Sequence, residues 1–158
     1  MIELDIKIGP GDLYDYNLRH AYNSAAGLMG SILAAIMVIA GFSSKTWIFV
    51  IGGAVLFLYL PWTLFIKSRQ QALTNTVFKE PLHYLLNDDG ITISQGDVST
   101  TQDWASMIKA VSTSRSIIVY TSKINATIFP KSQLGEKKDA VIEIISTHMP
   151  PGKVNIRL

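Results

Sequence analysis

The sequence predicts a membrane α+β protein in which a transmembrane helical hairpin precedes a small antiparallel β-sheet or partial barrel, capped by a C-terminal helix. Two uncharged apolar stretches, residues 24–42 and 46–66, lie almost next to each other near the start of the chain. Short alternating segments and turn residues follow, and the last amphipathic segment has helical spacing. These patterns divide the chain into an N-terminal arm (1–23), a hairpin (24–66), a helical stalk (67–80) and a C-terminal domain (81–158).

The two apolar stretches are each about 20 residues long, the length that an α-helix needs to cross the hydrocarbon of a bilayer. Only Ser43, Ser44 and Lys45 separate them, so the two helices must run antiparallel. Neither stretch contains Asp, Glu, Lys, Arg or His, whereas transporters and proton relays usually need polar or ionisable groups inside the membrane. The hairpin is therefore expected to be an anchor in the lipid bilayer rather than a pore.

Small residues recur along the predicted hairpin at a spacing of four residues, which lets two helix backbones approach closely. They are Ala26, Gly27, Gly30, Ser31 and Ala34 in the first stretch and Gly52 and Gly53 in the second. This face either packs the hairpin on itself or forms the seam of a homo-oligomer.

The basic residues that flank the spans predict the orientation of the chain. The loop between the spans offers only Lys45, and the other side offers Lys7, Arg19, Lys67, Arg69 and Lys79. The positive-inside rule therefore places both termini in the cytoplasm.

The N-terminal arm begins with a strand pattern, because Ile2, Leu4, Ile6 and Ile8 alternate with charged residues. A lone strand must pair with something, and we expect it to pair with an edge of the C-terminal sheet. Asp12 is then predicted to cap a helix that continues into the first span.

The C-terminal domain is predicted to contain several short strands and then one amphipathic helix at 136–148. The stalk helix is expected to run on until Pro81 ends it. A turn at 87–90 joins the first two strands, with Gly90 supplying a positive φ. The predicted strands cover residues 82–86, 91–93, 98–104, 107–111, 117–121, 124–129 and 154–158.

Charge and composition exclude several classes of function. From Lys79 onward there are nine Lys and Arg against eight Asp and Glu, so no nucleic-acid partner is expected. The chain has no cysteine, and its three histidines are scattered without a carboxylate at ligand spacing, so we expect no metal ion and no cofactor. Residues 106–109 match the S-x-x-K motif, but in a strand-like segment rather than at a helix start, so no catalytic residue is predicted.

Two sets of residues are candidates for binding a partner or lipid. Trp104 is either a core residue or an exposed anchor for a ligand. Lys131, Lys137 and Lys138 lie at the start of the last helix, where positive charge opposes the helix dipole. Together with Lys67 and Arg69 they are candidates for a band that faces anionic headgroups, where each cation contributes about 1 kcal/mol.

The layout and several short motifs resemble the YcxB-like proteins, bacterial membrane proteins with a pleckstrin-homology-like (PH-like) C-terminal domain. The motifs are Asp89-Gly90-Ile91, Trp104 with Ile108 and Val111, Val119-Tyr120, and Ile128-Phe129-Pro130-Lys131. The resemblance implies a PH-like fold and a bacterial inner (plasma) membrane location, and it implies no catalytic residues. The chain departs from the family at Leu134-Gly135, where the glycine is expected to delay the start of the last helix.

These observations lead to an expected function, with two alternatives. We expect a membrane-anchored, non-enzymatic binding module that presents its PH-like domain to a protein or peptide partner. One alternative is a bacterial immunity protein that neutralises a toxin. The second is a homo-oligomeric channel or transporter subunit built on the small-residue face of the hairpin.

Overall fold

A computed structural model describes residues 1–156 of the chain as an α+β fold with five helices and eight strands. The helices are α1 (Pro10–Tyr22), α2 (Ala25–Ser43), α3 (Trp47–Thr74), α4 (Lys131–Leu134) and α5 (Lys138–His148). The strands are β1 (Ile2–Ile6), β2 (Leu82–Leu86), β3 (Gly90–Gln95), β4 (Val98–Asp103), β5 (Lys109–Ser112), β6 (Ser116–Tyr120), β7 (Ala126–Pro130) and β8 (Val154–Asn155). The end of the last predicted strand, residues 157 and 158, lies outside the described residues.

The two apolar stretches form α2 and α3, which are each long and apolar enough to cross a membrane. A tight turn joins them, and Lys45 within it has a positive φ of 56°. Two predictions about the ends of these helices were wrong. The first helix does not run from the arm into α2, because the Ser24 hydroxyl accepts a bond from the Gly27 N–H and caps a new helix. The stalk helix ends at Thr74 rather than at Pro81, because the Asn75 side chain caps the following 3₁₀ turn at Thr76–Phe78.

The strands form two four-stranded sheets rather than one curled sheet. The first sheet has the order β1-β2-β3-β4, and the second has the order β7-β6-β5-β8. β1 pairs antiparallel with β2 along its whole length, from Ile2 opposite Leu86 to Ile6 opposite Leu82. The second sheet is mixed, because β8 runs parallel to β5.

One hydrophobic core joins the two sheets and the C-terminal helix. The Tyr84 ring of β2 meets the Phe129 ring of β7 edge-on, with centroids 5.2 Å apart. Val141 and Ile145 of α5 are fully buried in the same core, as their helical spacing predicts. The side chains from β1 that face inward, Leu4 and Ile6, also lie in it, so the N-terminal arm is part of this core.

α1 lies between the α2–α3 hairpin and the second sheet, and it contacts both. Towards the hairpin, the Tyr14 ring meets the Phe65 ring edge-on at 5.7 Å, and the Asn17 amide donates to the buried Ser68 hydroxyl at 2.9 Å. Towards the sheet, the Tyr16 ring lies 6.0 Å from the Tyr120 ring. α1 therefore connects the position of the hairpin to that of the β-domain.

The predicted role of Gly90 was wrong, whereas Gly135 does delay the start of the last helix. Gly90 does not adopt a positive φ; it is glycine because a Cβ there would collide with the backbone of Gln102 on β4. Gly135 does have a positive φ, 51°, and it ends α4. The last helix is consequently split, and α5 begins at Lys138 rather than at residue 136.

Candidate functional site

The predicted cationic band is not a set of free charges. The Lys131 ammonium group donates to the Thr113 carbonyl at 2.7 Å, and the Lys137 ammonium group donates to the Glu3 carbonyl at 2.8 Å. Lys138 is half-buried, whereas Lys67 and Arg69 are exposed on α3. Lys131 and Lys137 are thus held at different sheets by backbone oxygens, which differs from the predicted band.

Trp104 belongs to the core rather than forming an exposed anchor. Its side chain is 6% exposed, and its indole N–H donates to the Asn87 carbonyl at 2.8 Å. The His148 ring stacks on the indole with centroids 5.2 Å apart. Trp104 also lies in a 3₁₀ turn, Trp104–Ser106, and not at the end of the predicted strand. Its geometry favours the core alternative.

The residues of the S-x-x-K match are bonded to other groups. The Ser106 hydroxyl donates to the Asp103 carbonyl at 2.7 Å. The Lys109 ammonium group lies 4.7 Å from the centre of the Tyr120 ring, where it makes a cation–π contact. Within residues 1–156, no cluster of three His, Asp or Glu side chains has the geometry of a metal site.

Only part of the predicted small-residue face packs the hairpin on itself. A Cβ at Gly53 would lie 2.8 Å from the Ala34 carbonyl, and both residues are buried between α2 and α3. Gly52 lies against Met37, and a Cβ at Gly30 would meet nothing within 4 Å. Ala26 is exposed and Ser31 is half-buried, with its hydroxyl bonded to the Gly27 carbonyl within α2.

Two glycines have roles that the spacing did not predict. A Cβ at Gly27 would collide with the Ala21 carbonyl, so this glycine permits the sharp turn between α1 and α2. Gly41 lies outside the predicted four-residue spacing. It packs against Val50 where α2 and α3 meet at the loop.

Side chains from the other end of the chain cover part of the outer edge of β1 and the residue that follows this strand. The Gln133 side-chain amide accepts from the Lys7 N–H at 2.9 Å and donates to the Lys7 carbonyl at 2.8 Å. The Lys137 ammonium group donates to the Glu3 carbonyl on the same edge. These side chains take backbone groups that a neighbouring strand would otherwise use.

β4 is the opposite edge of the first sheet, and it is open. It pairs with β3 from Gln95 opposite Val98 to Gly90 opposite Asp103, and nothing within residues 1–156 pairs with its other side. Five of its six residues are exposed, and Val98 is 71% exposed. Its sequence, VSTTQD, contains no Lys and no Pro, the residues that commonly protect sheet edges.

The turn at the start of β4 determines which backbone groups face outward. Gln95 and Val98 close a two-residue turn, so the Val98 N–H points towards β3. Bonded and non-bonded residues then alternate along an antiparallel strand. The N–H groups of Ser99 and Thr101 therefore point away from the sheet, into solvent.

Other contacts hold this edge in place. The Gln95 amide donates to the Val77 and Glu80 carbonyls, at 3.0 and 3.2 Å, which ties the turn to the segment after α3. The Thr92 and Thr101 hydroxyls are 2.9 Å apart across β3 and β4. Gly96 in the turn has a φ of 56°, which a side chain would strain. The strand is thus presented as a fixed, polar edge.

The sequence predicts exposed sheet edges but does not indicate which edge is open. The available signal was residues 98–103, where polar side chains occupy both faces of a strand. The bonds of Gln133 to Lys7 had no local signal, because the partners are 126 residues apart.

Comparison with known proteins bears on the segment that contains this edge. A family model described as YcxB-like protein matches residues 86–145, about two fifths of the chain, from the last residue of β2 into α5. Searches of curated proteins and of solved structures found no match. The matched residues include β4 and every motif on which the resemblance rests. Through residues 86–145, the chain is therefore similar to the YcxB-like family.

Proposed function

We propose that this protein is a membrane-anchored, non-enzymatic module that binds an extended segment of a protein partner along β4. The observation that carries the proposal is the contrast between the two edges of the first sheet. Side chains cover part of the β1 edge, whereas β4 presents outward N–H groups with no Lys or Pro to protect them. An extended peptide that adds to such an edge gains backbone hydrogen bonds, each contributing about 1 kcal/mol.

The exposure of α2 and α3 supports the membrane anchor. Side chains as apolar as Ile48 and Trp62 are 75% and 66% exposed. A buried helix of a water-soluble protein would cover such groups, whereas a bilayer covers them without any protein contact. The charge balance of the flanking segments supports a cytoplasmic location for both termini at a bacterial inner membrane.

The arrangement of the β-domain supports a PH-like fold. Two sheets face each other across one core, and α5 covers that core near the C-terminus of the chain. One feature is added to that plan, because β1 comes from the arm that precedes the hairpin. The β-domain is therefore connected to both ends of the hairpin, through the arm before α2 and through the segment after α3.

A matched pair of variants tests the binding edge. Ser99→Pro removes an outward N–H and places a ring on the open side, and it breaks no bond between β3 and β4. Ser99→Ala changes the same side chain but keeps the N–H. Crosslinking in intact cells, purification of the tagged full-length protein in mild detergent and mass spectrometry would identify the partner for each variant.

The proposal predicts one stoichiometric partner that is recovered with the parent protein and with Ser99→Ala, and lost with Ser99→Pro. Equal recovery with all three proteins would overturn binding along β4. The identity of the partner separates the general module from an immunity protein, whose partner would be a toxin. Recovery of the protein only with itself, together with conductance in planar bilayers, would instead favour the channel alternative.

A further inference from the structure

A group of cations and aromatic rings lies where α1 meets the second sheet. The Tyr16 ring on α1 stacks on His20 and lies 6.0 Å from Tyr120 of β6. The Lys109 ammonium group lies over the Tyr120 ring, 4.7 Å from its centre. Arg19 is three residues after Tyr16 on α1 and so lies on the same side of the helix; burial, Tyr16 and Asp15 raise the pKa of Tyr120, and the charge of Arg19 counteracts them.

The turn between β6 and β7 belongs to the same group. The Tyr16 hydroxyl donates to the Ile124 carbonyl at 2.7 Å, which fixes the tip of this turn beside α1. Ile124 is 70% exposed, and the exposed Lys123 precedes it. An exposed isoleucine can bury its side chain in a membrane interface while the neighbouring lysine keeps its ammonium group among the headgroups.

The height of this turn along α3 can be deduced from α1. Asn17, the residue after Tyr16, bonds to Ser68, which is two residues beyond the apolar end of the span at Ile66. At 1.5 Å per residue, Ser68 lies about 3 Å outside the hydrocarbon. The headgroup layer extends about 5–7 Å beyond the hydrocarbon on each side. Tyr16 is therefore at the level of the headgroups, and Ile124, which borders one cavity with Tyr16 and Gln71 of α3, lies on the outer side of that layer.

The charge of this surface is positive. Arg19, Lys109 and Lys123 contribute three positive charges, and His20 lies beside them. Asp15 lies beside the same ring and offsets one of these charges, because its carboxylate keeps its negative charge while it accepts a bond from the neutral Thr113 hydroxyl at 2.6 Å, so the net charge stays positive. We propose that Arg19, Lys109 and Lys123 bind the anionic headgroups of the bilayer that holds α2 and α3, and that Ile124 inserts between the lipids.

This inference rests on the proposed membrane anchor, but it is separate from partner binding at β4. It also replaces the predicted lysine band, since Lys131 and Lys137 are bonded to backbone carbonyls. Docking at this surface would hold the β-domain against the membrane in one orientation.

The absence of cysteine from the sequence makes a site-specific test simple. Ile124→Cys, labelled with a fluorophore, would be measured in the full-length protein in nanodiscs that contain quencher-bearing lipids. One set would be neutral phosphatidylcholine, and the other would also contain anionic phosphatidylglycerol. Leu58→Cys on the exposed face of α3 is the control for the span, and Asp89→Cys, in the exposed turn at the end of β2 away from the segment that follows α3, is the control outside the bilayer.

We expect quenching at position 124 to be stronger in the anionic nanodiscs, with position 58 quenched in both kinds of nanodisc and position 89 in neither. Adding Lys109→Gln and Lys123→Gln to Ile124→Cys should remove the difference between the lipids, because each cation changes the docked population about fivefold. Lys7→Gln with Lys79→Gln, at two exposed lysines elsewhere, should leave it unchanged.

Three outcomes would contradict the inference. If position 124 is unquenched while position 58 is quenched, the anchor stands and the docking surface does not. If quenching at position 124 is equal in both lipids, or insensitive to the two lysine substitutions, recognition of anionic headgroups is refuted. If position 58 is also unquenched, the proposed anchor fails and the inference fails with it.

Discussion

Gln133 pairs with Lys7 across 126 residues of sequence as a strand would, accepting from its backbone N–H and donating to its carbonyl. The Gln133 side chain thus supplies to Lys7 the acceptor and the donor that a neighbouring strand would provide. The pairing blocks one end of the β1 edge, which leaves β4 as the more open edge for an added strand. It also connects the N-terminal arm to the segment that precedes α5.

Gln133→Ala should destabilise the protein by about 1 kcal/mol, because two hydrogen bonds to backbone groups are lost at an exposed site. Chemical unfolding of the protein in detergent measures this change. Ser132→Ala, at the exposed neighbouring residue of α4, is the matched control and should change stability little. Equal stability of the two variants would show that the Gln133 pairing contributes nothing measurable.

Replacing Asn17 should lower the free energy of unfolding more than replacing its hydrogen-bond partner Ser68. Ser68 is fully buried, so Asn17→Ala leaves its hydroxyl without this partner, at a cost of about 1–3 kcal/mol. Ser68→Ala leaves only the half-buried Asn17 amide, which can turn towards water. A double-mutant cycle on unfolding free energies checks the pair, and additive effects of the two substitutions would contradict direct coupling.

Alanine at Gly53 and alanine at Gly30 should have opposite effects. A Cβ at Gly53 would press on the Ala34 carbonyl and on Val38, so α2 and α3 must separate, at a cost of about 1–3 kcal/mol. Gly30→Ala meets nothing within 4 Å and should stabilise the helix by about 0.5–1 kcal/mol. Thermal unfolding in detergent compares them. A destabilising Gly30→Ala would instead indicate that Gly30 contacts a second copy of the chain.

The buried hydroxyl of Tyr84 should cause the free energy of unfolding to fall above pH 10. Burial raises the pKa of Tyr84 well above its ordinary value of 10.0. Above pH 10 the unfolded chain loses this proton while the folded protein keeps it, so stability is complete below pH 10 and falls as pH rises. The slope reaches about 1.4 kcal/mol per pH unit for one proton.

Tyr84→Phe should remove this contribution, so its unfolding free energy should fall less steeply above pH 10 than that of the parent protein. Measurement of both proteins at neutral pH separates the loss of the hydroxyl from the effect of ionisation. Parallel curves for the two proteins across the alkaline range would contradict a buried, neutral Tyr84.

Elements that depend on local patterns were predictable from the sequence. The two apolar stretches became α2 and α3, and the alternation at Ile2–Ile6 became a strand paired with β2. The helical spacing of Val141 and Ile145 correctly identified the buried face of α5. In each case, residues close in sequence carry enough information to define the element and its buried face.

Features that depend on distant contacts were not predictable in the same way. Gly90 looks like a turn glycine, but its reason is the approach of Gln102 on the neighbouring strand. Lys131 and Lys137 look like free cations, but their partners are carbonyls in the β5–β6 turn and in β1. The open edge of β4 follows only from the sheet order, since a one-dimensional pattern does not say which strand lies last.

Amide hydrogen exchange along β4 tests the central claim most directly, measured on the full-length protein before and after binding of the crosslinked partner. In the free protein, the Ser99 and Thr101 amides should exchange fast, and the Thr100 and Gln102 amides, which face β3, should be protected. Strand addition predicts that Ser99 and Thr101 become protected in the complex while Thr100 and Gln102 stay as they were. If Ser99 and Thr101 exchange equally fast in the complex, the partner does not bind along β4 and the account is wrong.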